Sequence, residues 1–143
     1  MANNILVVSA VLTSQQRASI LARVTPAFPQ VYCMQITWSY RVTPDFVFPR
    51  GEIELGLDGL YIGPDADALT GWLHNGTDLH HERLRPDGKP VHVTLSTQPG
   101  TPPAEAMASL PSRTIGQEFA PIILKIRLSR RHATTLRPVN MAA

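Results

Sequence analysis

Two triplets of the same shape carry the residues best suited to chemistry. Gln35-Ile36-Thr37 and His92-Val93-Thr94 each place a polar ring or amide two residues ahead of a threonine. On a β-strand, side chains two apart share a face and lie about 7 Å apart along it. An imidazole exchanges a proton near neutral pH. A hydroxyl can hold a phosphate or carboxylate oxygen. The implied chemistry is proton transfer at His92, with anion binding at Thr94 and Thr37. Gln35 cannot exchange a proton in the useful range, but its amide can donate to a phosphoryl oxygen. Each triplet runs into a bulky apolar residue and a serine, in TWS and TLS. The plainer reading is an exposed strand face with a spare histidine, since threonine is a good strand former in its own right.

Both triplets lie in stretches that read as strands. In PVHVTLST, residues 90–97, Val91, Val93, Leu95 and Thr97 alternate with His92, Thr94 and Ser96. In VYCMQITWSY, residues 31–40, strict alternation puts Tyr32, Met34, Ile36, Trp38 and Tyr40 on an apolar face. Cys33, Gln35, Thr37 and Ser39 fall on the other face. Around these two strands the chain supplies the remaining elements. The apolar run 5–12 is a buried strand. Thr13 with Gln16 forms a capping box for a helix over 15–24, which Pro26 ends. Pro44 and Pro49 make 42–51 an ordered loop or extended arm. Alternation predicts a strand over 52–62, bent at Gly56 or Gly59, and a hairpin partner over 66–74. Asn75-Gly76 and Pro86-Asp87-Gly88 are turns that bracket a polar loop. A short helix is expected over 104–110, and a last strand over 122–128. Residues 1–130 form one domain, and the basic stretch 131–143 reads as a flexible tail. Hairpins with alternation make the fold class α+β and mostly antiparallel.

Composition narrows the function classes. The chain has 143 residues, enough for one core, and a net charge of only +2, too small for a broad nucleic-acid-coating surface. A single cysteine, Cys33, excludes an internal disulfide and a multi-cysteine zinc site, which suits a reducing cytoplasm. The first apolar run is too short to span a membrane. There is no HExxH and no phosphate-binding glycine loop, and His80-His81 reads as a turn before it reads as a metal pair.

Two H-x-[S/T]-type triplets on central strands resemble the two-histidine (2H) phosphoesterases, the LigT-like family. The likeness extends to the flanks. SAVLTSQQRASILARVTPAFPQVYCMQITWSY is similar to the family's strand, helix and first motif strand. LTGWLHNGTDLHHERLRPDGKPVHVTLST is similar to its strand, NG turn, RPDG-type loop and second motif strand. The arrangement most resembles the RNA-repair-associated "Swiss Army Knife" branch and covers residues 5–130. The resemblance implies a bilobal fold with mostly antiparallel sheets around a central cleft and two helices packed outside. It implies metal-independent chemistry, with no cofactor, on 2′,3′-cyclic or 2′,5′-linked phosphodiesters of nucleotides or RNA ends. One family histidine acts as base and the other as acid, and the threonines hold the phosphate. Carried over, His92, Thr94 and Thr37 match the motif, and Gln35 stands where the first histidine belongs.

Other residues could bind the same ligand. Tyr40 could stack a base, although alternation turns it to the core with Trp38. Arg83, Arg85 and Lys89 precede the His92 strand. Lys125 and Arg127 share a face of the last strand. Three functions stay open: a cyclic phosphodiesterase (a phosphoric diester hydrolase) in which His92 acts alone or with His74 or His81, a nucleotide- or RNA-binding module that has lost turnover, and an interaction protein with a vestigial cleft.

Overall fold

Alternating apolar residues build a single curled sheet, seen in a computed structural model that describes residues 5–103, 116–134 and 136–138. The strands are β1 (Leu6–Val11), β2 (Gln30–Val31), β3 (Gln35–Tyr40), β4 (Ile53–Ile62), β5 (Ala66–His74), β6 (His92–Thr97), β7 (Gly116–Ile126) and β8 (Ser129–His132), with helix α1 (Ser14–Leu21). Their order is β7-β4-β5-β6-β3-β1-β8, with β2 also on β6, and every pairing is antiparallel. The class is therefore α+β and mostly antiparallel, as alternation predicts. The described residues hold one helix. The second expected helix, over 104–110, lies outside the described residues.

β7 and β8 occupy opposite ends of this order, yet only Arg127 and Leu128 separate them. The sheet must curl to bring its two edges together. Helix α1 lies against that seam. Its capping box forms as expected, with Gln16 N–H donating to Thr13 Oγ1 at 3.1 Å and Thr13 N–H to Gln16 Oε1 at 2.9 Å. Gln16 Nε2 then donates to the Lys125 carbonyl at 2.7 Å, and Arg23 Nη2 to the Ala120 carbonyl at 2.7 Å. Inside the curl, Val8, Ile20, Ile36, Leu55, Leu69 and Val93 are fully buried.

The structure departs from the sequence expectation at three irregularities of pairing and at the C-terminal end. In β6, Thr94 faces Ala68 and Ser96 faces Asp67, so Leu95 is an extra residue and Ser96 is buried, off the face of His92 and Thr94 that alternation assigned to it. In the β1–β3 ladder Val8 faces Ser39 and Ser9 faces Thr37, so Trp38 is an extra residue and the phase of β3 flips after it. Trp38 and Ser39 are both buried, and Tyr40 is turned out. Tyr40 thus leaves the core face assigned by strict alternation. Further back, Cys33 takes a left-handed φ of 50°. Its N–H bonds the Thr94 carbonyl, yet the next β3–β6 pair is Ile36 with Val93, so Met34 and Gln35 are looped out. Cys33 joins the core and does not share a face with Gln35. Lastly, residues expected in a loose tail from 131 onward begin as strand. Arg131 and His132 pair with Val7 and Leu6 in β8. The cause is that Leu6–Val11 needs a partner on its outer edge.

A buried carboxylate fixes the connector that enters β2. Asp67 on β5 accepts from Ala27 N–H at 2.8 Å and from the Ser96 hydroxyl of β6, which in turn accepts from Phe28 N–H at 3.1 Å. Burial pushes the Asp67 carboxyl up, against the opposing pull of the Ser96 and Ala27 hydrogen bonds. A carboxyl raised in the folded state makes stability full below the ordinary carboxylate range and lower as pH rises through the raised value. Asp67→Ala should cost about 2–4 kcal/mol in urea unfolding, since it leaves two donors without an acceptor. Asp67→Asn should cost less and remove that pH dependence. Equal losses in both variants would show that the hydrogen bonds are not what holds the connector.

Candidate functional site

The site arises where β3 and β6 meet. Ile36 and Val93 are paired and face the core. Their neighbours Gln35, Thr37, His92 and Thr94 therefore face the other way, and all four line one cleft of about 570 Å3. Tyr40, Arg85 and Lys89 line it too. Pro102, Pro103, Ala133, Thr134 and Leu136 contribute walls, and Val7, Ser9 and Arg131 line the side toward β1 and β8.

His92 is half-buried, and its Nδ1 lies 2.9 Å from the Pro90 carbonyl. A carbonyl only accepts, so Nδ1 carries the proton and Nε2 is left as a bare acceptor. Burial pushes the imidazole down to about 4; the Pro90 hydrogen bond opposes this, and the Arg85 cation adds to it. His92 is thus neutral at neutral pH, able to accept a proton or a hydrogen bond but holding no proton to give from Nε2.

The other polar groups make long, easily exchanged bonds. Gln35 Nε2 donates to Thr37 Oγ1 at 3.4 Å, and Thr94 Oγ1 to the Pro103 carbonyl at 3.3 Å. Both hydroxyls and the amide remain open to a ligand oxygen. Arg85 is more committed. Its side chain is only 8% exposed, and Asp87 takes its Nε at 3.1 Å and its Nη2 by a second, short bond. Its Nη1 reaches the Thr37 carbonyl at 3.5 Å, tying the loop before β6 to β3. The Arg85 hydrogen bond holds the Asp87 carboxyl below the usual range. Lys89 is exposed, with its backbone N–H on Asp87 Oδ1 at 3.0 Å. It is the freer of the two cations.

Lys125 and Arg127 are not in this cleft. Both line a second, shallower one of about 330 Å3, where Lys125 lies 3.7 Å from Glu54 and 4.0 Å from Glu52. Arg83 pairs with Asp58 at 2.7 Å and stands apart from the cleft. His74 and His81 stack on each other at 4.4 Å, with His81 edge-on to Trp72 at 4.5 Å, and neither lines the cleft. They are not placed to act beside His92 in the cleft. Burial pushes the Cys33 thiol up to about 12, so it is no nucleophile.

The charged and titratable cleft residues of β8, Arg131 and His132, escaped the sequence reading. The signal was present in the alternation of Arg127, Ser129 and Arg131 after the last apolar strand, which continues the strand period into the supposed tail. Among the described residues, no group of three His, Cys, Asp or Glu side chains is placed to hold a metal, and no helix is long and apolar enough to cross a membrane. Comparison with protein-family models, curated proteins and solved structures returned no match to this chain.

The His92 environment has a direct readout. Its ring signals in a proton NMR titration should show a midpoint near 4, against 6.5 for a solvated imidazole. Because the folded value is depressed, the stability tied to the neutral ring is present above about 6.5 and is lost as pH falls from there through about 4. A midpoint at 6–7 would mean that water reaches the ring freely.

Proposed function

We propose that this chain is a 2H phosphoesterase-like protein whose cleft takes a 2′,3′-cyclic or 2′,5′-linked phosphodiester of a nucleotide or RNA end and hydrolyses it slowly, without a metal. The observation that carries the reading is the convergence of both polar-x-Thr triplets, far apart in sequence, on one cleft across the β3–β6 junction. On this reading the β7-β4-β5 and β3-β1-β8 sides of the sheet are the family's two lobes. The Thr37 and Thr94 hydroxyls and the Gln35 amide hold the phosphoryl oxygens. Neutral His92 accepts a proton at Nε2 from the attacking water. Lys89 supports the phosphate charge from the rim.

Proton bookkeeping limits this machinery. Opening a cyclic diester takes one proton from water and gives one to the leaving oxygen. His92 can serve only as the base and Gln35 as neither acid nor base, so in the slow hydrolysis the leaving oxygen takes its proton from bulk water. That same observation favours a second reading, in which the cleft captures the phosphodiester and does not turn it over.

The pH–rate profile on a 2′,3′-cyclic nucleotide separates the two. Loss of a positioned acid or base typically costs about 10²–10⁴-fold. Gln35→His should raise the rate by about that factor and turn a single titrating limb into a bell. His92→Ala should abolish turnover in either background, while Thr37→Val and Thr94→Val should mainly weaken binding. Ligand phosphate should also move the His92 midpoint upward, since a nearby anion favours the imidazolium. Binding without turnover in either protein selects capture. Absence of both rejects the proposal.

A further inference from the structure

The β1–β8 wall of the cleft has polar groups that the chemistry above does not use. Among the described residues, two buried polar atoms without a hydrogen-bond partner belong to side chains that line the cleft, Ser9 Oγ and Arg131 Nε. The other such atoms, on Arg17, Ser39, His74, Thr97 and Arg130, belong to residues that line neither cleft. Buried polar groups are nearly always paired, so two orphans on one wall mark a place where an acceptor fits.

The two residues touch. Arg131 Nη2 donates to the Ser9 carbonyl at 3.4 Å and to the Ser129 hydroxyl. Both acceptors are neutral, and the longer bond is readily exchanged. Among the described residues Arg131 is in no ion pair, and the carboxylate that lines the cleft, Asp87, is held by Arg85. Nε and Nη2 lie on one edge of the guanidinium, and such an edge matches the two oxygens of a carboxylate. The Ser9 hydroxyl can donate a third hydrogen bond.

The register decides what surrounds this edge. Tyr40 faces Val7 and Val7 faces Arg131, so the three stand in one row across β3, β1 and β8. With strands about 4.8 Å apart, Arg131 stands roughly 10 Å from β3, and His92 and Thr94 lie beyond β3 on β6. Ala133, directly after β8, and Leu136 also line the cleft. One guanidinium among Val7, Tyr40, Ala133 and Leu136 suits a single negative charge on an apolar body, and not the dense charge of a phosphate.

We infer that the β1–β8 side of the cleft is a carboxylate site that takes a small monocarboxylate with an apolar body. The carboxylate rests on the Arg131 guanidinium and the Ser9 hydroxyl, and the body lies against Val7 and Tyr40. This inference does not rest on the phosphodiester reading, whose cradle uses neither Arg131 nor Ser9.

The test follows the Arg131 Nε–H of the full chain by proton–nitrogen correlation NMR, its signal assigned by its absence in Arg131→Gln. The probes are sodium hexanoate, sodium acetate and inorganic phosphate at constant ionic strength. Hexanoate should shift the signal saturably and slow its exchange with water, while the His92 ring signals stay in place. Acetate should bind about tenfold or more weakly, because it leaves the apolar wall uncovered. By calorimetry, Arg131→Gln should abolish hexanoate binding and Arg131→Lys should retain part of it. Ser9→Ala should weaken it by about threefold to tenfold, the range for one neutral hydrogen bond. An Arg131 signal that hexanoate does not move overturns the inference. Undiminished hexanoate binding by Arg131→Gln does so too, as does phosphate binding there as tightly as hexanoate. If hexanoate moves the His92 ring signals and not the Arg131 signal, the carboxylate sits in the Thr37–Thr94 cradle, and this inference falls while the phosphodiester reading stands. If hexanoate binds at Arg131 and no cyclic nucleotide binds the protein, only the phosphodiester reading falls.

Discussion

The pairing of Ile36 with Val93 is the contact on which the site depends. Both side chains are fully buried. A strand has a period of two, so burying these residues obliges Thr37, His92 and Thr94 to face the other way. A one-residue slip of β6 would bury His92 and Thr94 and expose Val93 and Leu95, at a cost of several kcal/mol in lost apolar burial. The chemistry is thus held in place by the hydrophobic core behind it. Beyond the extra residue Leu95, at the far end of β6, the Asp67–Ser96 pair ties down the connector that leads into β2.

Much of this was legible in the sequence, because alternation and capping are local. The strand around His92, the hairpin 53–74 and the Thr13 cap follow from neighbouring residues, and of the two glycines expected to bend β4 it is Gly59, not Gly56, that adjoins the register shift. What was not legible depends on partners far away in the chain. The extra residue at Trp38 is visible only once β1 is known to pair with β3, and it is this bulge that delivers Tyr40 to the cleft. The left-handed Cys33 and the looped-out Met34 and Gln35 likewise reflect how β3 meets β6. Arg131 enters the site because β1 needs an edge partner, a demand made by residues more than a hundred positions earlier. The polar face was therefore read correctly at Thr37, His92 and Thr94, on the near side of each bulge, and incorrectly at Tyr40, Cys33 and Ser96, on the far side of an irregularity.

Charge in the cleft is arranged asymmetrically. Arg85 is buried but neutralised by Asp87, so it acts as a clamp between the loop and β3 more than as a free cation. Lys89 at one rim and Arg131 at the other have no carboxylate within ion-pair distance among the described residues. The polar centre between them, formed by Gln35, Thr37, His92 and Thr94, carries no charge at neutral pH. Such a cleft favours anions by its flanks and orients them by its neutral centre, the division of labour expected when phosphate charge draws the ligand and hydrogen bonds fix its register.

Position 35 can be understood in the same terms. The desolvation that drives His92 down to about 4 would act on a second imidazole facing the same cleft. Two such rings compete for one proton, and flanking cations disfavour both charged forms. Two rings here, one of them charged, would need an anionic ligand to supply the counter-charge. Glutamine avoids that requirement. Its amide donates to an oxygen at any pH, keeps nearly the reach of the ring, and leaves binding independent of a proton at that position. An amide at position 35 thus supplies a hydrogen-bond donor and no proton transfer, so the pair of positions 35 and 92 offers two polar contacts to a ligand but a single proton acceptor.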